Sequence, residues 1–102
     1  MRRGTTPTIP FTIDGSTENI AQMELYIANS KGLILEKKLS DMTVSGNEVS
    51  VKLTQADTLK LQDNSFVKLQ IRILYKDGTV VASDVEESFV EEILKDGEIV
   101  ED

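Results

Sequence analysis

Apolar and polar residues alternate along most of this chain, and a period of two marks half-buried strands. In Thr8-Ile9-Pro10-Phe11-Thr12-Ile13, the residues Ile9, Phe11 and Ile13 share one face. Pro7 and Pro10 cannot donate to a ladder, which predicts an edge strand here. After the turn signal Asp14-Gly15-Ser16, Met23, Leu25 and Ile27 alternate with Gln22, Glu24 and Tyr26, predicting a strand over about residues 20–28. Asn29-Ser30-Lys31-Gly32 leads into a third, Leu33 to Leu39. Val44 and Val49 to Leu53 flank Ser45-Gly46-Asn47-Glu48, a tight hairpin signal.

The period then changes. Thr54 followed three residues later by Asp57 makes a capping box and opens one helical turn, with Leu59 and Leu61 as its apolar plugs. Val67, Leu69, Ile71, Ile73 and Tyr75 form the strongest strand, and Lys76-Asp77-Gly78 turns it back. A two-residue loop would bring acids onto the core face. A three-residue loop with Gly78 left-handed pairs Ile73 with Val81, Ile71 with Ser83 and Leu69 with Val85. It also sets Lys68 opposite Glu86. The three-residue loop is therefore expected. The last strand is expected to run to about Phe89, followed by a helical turn at Glu91 to Lys95.

About seven short strands with regular turn signals predict an all-β, immunoglobulin-like antiparallel sandwich with a short helical turn near residues 55–60. A length of 102 residues allows one core. The expected division is a single sandwich domain over 1–97 and a frayed acidic tail over 98–102.

Composition removes much chemistry. With no His and no Cys, there is no imidazole base, thiol nucleophile, zinc finger, haem or iron–sulfur ligation. The net charge of −7 lies almost wholly after residue 83, where nine acids face one base, Lys95. No basic stripe tracks a phosphate backbone, and five aromatic residues make a poor stacking platform, so nucleic acid is set aside. No signal peptide or membrane-length apolar run is read, and no membrane partner is expected. Glu86-Glu87 and Glu91-Glu92 are adjacent on strands and diverge, so neither pair forms a catalytic or metal site. Ser83 and Ser88 lack a nucleophile elbow, and the scattered glycines build no phosphate cradle. The expectation is no enzyme, no cofactor, no metal and no small-molecule substrate. The candidate interface residues are Tyr26 on a polar sheet face, Arg72 mid-strand, and Pro7 and Pro10 on the edge strand. Pairing with Asp84 or Glu86 is the blander expectation for Arg72.

Three stretches carry a resemblance: Arg2-Arg3-Gly4-Thr5-Thr6-Pro7-Thr8, Leu53-Thr54-Gln55-Ala56-Asp57-Thr58-Leu59, and Val67 through Ser83. They look like small prophage-encoded β-sandwich proteins of Gram-positive bacteria. They also resemble the N-terminal domain of phage baseplate upper proteins. The resemblance implies a non-catalytic structural or assembly module of a phage tail or baseplate. Its partners would be other phage structural proteins or a second copy, and its location the virion, assembled in the bacterial cytoplasm. The alternative is a carbohydrate- or surface-binding sandwich using Tyr26.

Overall fold

A computed structural model describes residues 1–101. The strands are β1 (Thr8–Thr12), β2 (Ile20–Asn29), β3 (Gly32–Lys38), β4 (Met42–Ser45), β5 (Glu48–Lys52), β6 (Ser65–Tyr75), β7 (Val80–Ala82) and β8 (Glu86–Val90). One short helix, α1 (Gln55–Leu59), lies between β5 and β6. Two antiparallel sheets result, a small one in the order β1-β5-β4 and a large one in the order β3-β2-β6-β7, with β8 also on β6. This is the expected β-sandwich, with eight strands in place of about seven.

The alternating residues form the core between the sheets. Met23, Leu25 and Ile27 of β2 are fully buried, as are Val51 of β5 and Leu53 just after that strand. Gly46 and Asn47 close the β4–β5 hairpin with Ser45 opposite Glu48. Gly46 has φ +61° while Asn47 does not, the signature of a turn with its first central residue left-handed. The Thr54–Asp57 capping box forms as read, with Asp57 Oδ2 accepting from the Thr54 N–H at 2.9 Å and Thr54 Oγ1 from the Asp57 N–H at 3.1 Å. Leu61 is buried, whereas Leu59 is half-buried.

The β6–β7 hairpin has the three-residue loop, with Gly78 at φ +90° and Ile73 opposite Val81. The register holds through Ser83, whose N–H donates to the Ile71 carbonyl at 2.9 Å. There it breaks. The Ile71 N–H donates to Ser83 Oγ at 3.0 Å, and the Ser83 carbonyl accepts from Gln70 Nε2 instead. A serine hydroxyl thus stands in for a ladder carbonyl, freeing the main chain to bulge. Pairing resumes one residue later, with Leu69 opposite Glu86 and Lys68 opposite Glu87, so the expected Leu69–Val85 and Lys68–Glu86 pairs do not form. The slip turns Phe89 outward and Val90 into the core.

The helical turn expected at Glu91 to Lys95 is absent. Arg2 instead makes a parallel bridge to Glu91, with the Arg3 N–H donating to Glu91 O and the Glu91 N–H to Met1 O. Backbone groups satisfied across the chain termini have no need of a helix. Farther on, Gln55 exchanges two hydrogen bonds with the backbone of Ile99, at 2.7 and 3.0 Å.

Candidate functional site: an open cleft between unequal sheets

The large sheet extends one strand beyond the small one. On the β1 side the small sheet stops, while the large sheet continues past β6 to β7 and β8. The inward-facing residues there lack a covering strand. The result is a cleft of about 770 Å³, walled by Ile9 and Phe11 of β1 and floored by Ile71, Ile73 and Val81. Exposure follows the geometry: Ile71 and Ile73 remain 7% exposed, Phe11 is half-buried and Val81 is 41% exposed. Apolar side chains on an inward face normally bury fully, so half-exposure here marks an unfinished core.

The rim has one sign of charge. Asp14, Asp84 and Glu86 line the cleft and no Lys or Arg does. All three are exposed, and none forms an ion pair among the described residues. The Ser83 bulge positions two of them, since it carries the chain from β7 to β8 along the rim. Ser83 is otherwise occupied. Its Oγ accepts from Ile71 N–H and donates to the Asp84 carbonyl at 3.0 Å, a structural serine and not a nucleophile.

The residues singled out from sequence do not converge. Tyr26 lies on the outer face of the large sheet, half-buried, opposite Gln70 and Glu36. Its hydroxyl donates to Glu24 Oε1 at 2.6 Å. That bond is the main reason the Glu24 carboxyl sits below its ordinary value and the Tyr26 hydroxyl above its own. A ring packed among charged neighbours with its hydroxyl engaged is a poor platform for a sugar. Arg72 stands opposite Glu24 and Ala82, and among the described residues it forms no ion pair with Asp84 or Glu86, the blander expectation. Pro10 does reach the cleft wall, whereas Pro7 lies just ahead of β1, where its carbonyl accepts from the Leu53 N–H.

Sequence reading missed the cleft residues Phe11, Val81, Asp84 and Glu86 as a group. It also missed an exposed aromatic pair on the outer face, Phe66 and Phe89, packed edge to face with centroids 5.2 Å apart.

Among the described residues, no three carboxylates gather where they could hold a metal ion. Glu87 and Glu86 point to opposite sides, as adjacent strand residues must. Glu91 pairs with the N-terminal ammonium at 3.4 Å. No helix among these residues is long and apolar enough to cross a membrane.

No family model matches the chain, and no curated protein matches it. Among solved structures, it is similar to the crystal structure of CopC from Methylosinus trichosporium OB3b, with a TM-score of 0.58 at 19% identity. The alignment covers 89% of this chain and 82% of that one. The expected kinship with prophage proteins and the baseplate upper protein domain is thereby corrected. The stretches that carried it, an early Thr-Pro strand, a capped turn and a long hairpin, are elements of this chain's β-sandwich. The virion assignment and the tail or baseplate role fall with it. At this identity the likeness to CopC is one of fold.

Proposed function

We propose that this chain is a non-catalytic binding module whose ligand site is the cleft between β1 and β6–β7. The observation that carries the reading is the cleft beside β1, lined by Ile9, Phe11, Ile71 and Ile73 and with Val81 41% exposed on its floor. A cleft of that volume, apolar in its floor with a few polar groups at its rim, has the character of a ligand site. Support for a non-catalytic role comes from the absence of His and Cys and from the engagement of Ser83 in the ladder.

CopC binds copper, and its fold raises copper as a cargo here. The donor chemistry does not fit. Copper sites draw on imidazole, thiolate and thioether ligands, and this chain has no His, no Cys and three Met. Of these, Met23 is fully buried in the core between the sheets. We therefore derive no copper site, and titration with Cu(II) or Cu(I) against a weak competing chelator should show no stoichiometric uptake.

The cleft itself is tested with an uncharged environment-sensitive dye, Nile red. The expected result is saturable fluorescence enhancement that is lost in Val81→Lys, a variant whose long side chain fills the floor of the cleft while leaving the core intact. Enhancement unchanged by Val81→Lys would overturn the reading.

A further inference from the structure

We propose that the cleft takes an extended, cationic segment of a partner protein, which completes the small sheet as a fourth strand beside β1. This rests on the cleft being the ligand site, and three observations specify the ligand.

The first is the free edge. Pro7 O accepts from the Leu53 N–H at 2.9 Å and the Ile13 N–H donates to Asn47 O at 2.9 Å. In an antiparallel ladder the hydrogen-bonded positions alternate, so Pro7, Ile9, Phe11 and Ile13 turn their backbone groups toward β5. Thr8, Pro10 and Thr12 turn theirs outward. That edge offers three carbonyls but only the N–H groups of Thr8 and Thr12, because Pro10 has none. An incoming strand can pair with it, but the proline removes the central donor. A strand held by backbone alone is discouraged, as at many guarded edges, so side chains must supply the selectivity.

The second is the floor. A strand beside β1 lies along the cleft, and every other side chain faces the exposed Val81 and the edge of the buried Ile71–Ile73 ridge. Those alternate positions must be apolar. The third is the rim. Asp14, Asp84 and Glu86 stand free of bases, so the intervening positions suit Lys or Arg. A second copy of this chain fits badly. Its net charge is −7, and its terminal segment from Gly97 carries Glu98, Glu101 and Asp102.

The test uses three synthetic heptapeptides of alternating sequence, Lys–Val, Glu–Val and Lys–Ser, with binding read by fluorescence anisotropy. The expected result is that the Lys–Val peptide binds at least about tenfold more tightly than either of the others. The double variant Asp84→Lys/Glu86→Lys, on exposed positions that leave folding intact, should reverse the preference between the Lys–Val and Glu–Val peptides. Pro10→Thr restores the missing donor and should tighten Lys–Val binding by roughly two- to tenfold, the worth of one hydrogen bond. Equal binding of all three peptides, or Lys–Val preference surviving the double variant, would overturn the proposal. If Nile red fills the cleft and no peptide binds, the strand proposal fails while the cleft reading stands. If neither binds, both fail.

Discussion

The two flanks of this sandwich are finished differently. On the flank where β3 meets α1, polar groups enter the interior and are all answered. Lys37 Nζ reaches Asp57 Oδ2 at 2.9 Å, and the same carboxylate caps α1. Thr58, fully buried, donates from its hydroxyl to the Thr5 carbonyl at 2.9 Å. Arg3 binds the carbonyls of Leu59 and Leu61 through its guanidinium, capping the end of α1. On the flank where β1 faces β7, Val81 is exposed and Phe11 half-buried beside the buried Ile71 and Ile73, and the carboxylates Asp14, Asp84 and Glu86 have no cations among the described residues. Polar satisfaction on one side and apolar vacancy on the other separate what holds the fold from what is available to a partner.

The contrast can be broken by substitution. Leu53→Ala, in the sealed core, should cost about 3–4 kcal/mol in urea unfolding, because the fully buried side chain leaves a cavity. A loss under 1 kcal/mol would mean that this core is as loose as the cleft.

Asp57→Ala should cost about 2 kcal/mol, since it removes both the cap and the partner of Lys37. Burial pushes the Asp57 carboxyl up, but hydrogen bonds from Thr54 and Lys37 outweigh it and hold it below its ordinary value. A carboxyl depressed in the folded state stabilises the protein above the unfolded pKa, about 3.9, and loses that contribution as pH falls through the folded value. The stability gap between wild type and Asp57→Asn should therefore be largest near neutrality and shrink below about pH 4. A gap that widened on acidification would show that the carboxylate is not held charged by its partners.

Val81→Ala should cost only about 0.5–1 kcal/mol, because that side chain is already 41% exposed. It should still weaken Nile red binding severalfold. A stability loss matching that of Leu53→Ala would place Val81 in the structural core and close the case for a ligand site there.

Much of the fold was legible in the sequence because strict alternation leaves one register that buries the apolar set. The hairpins at Gly46 and Gly78 and the Thr54–Asp57 cap followed from local chemistry that needs no tertiary context. The errors begin at Ser83. A serine that bonds its neighbour's N–H by side chain or by backbone looks the same in sequence, and the choice shifts all of β8 by one residue. Phe89 then changes face, and Glu86, now opposite Leu69 instead of Lys68, comes to the cleft side with Asp84 beside it on the rim. The expected helix at Glu91 failed for a related reason, because its competitor was the backbone of Met1 to Arg3, nearly 90 residues away. The cleft was illegible because it arises from the difference in width between two sheets, a property of no single segment.

The most direct measurement is a proton–nitrogen NMR titration of the intact chain with the alternating Lys–Val heptapeptide. The account predicts shifts confined to Thr8, Thr12, Asp14, the β6 cleft residues 69–73 and residues 81–86, with Glu24, Tyr26 and Glu36 on the outer face unmoved. Shifts centred on that outer face, or on the Phe66–Phe89 pair, would contradict it.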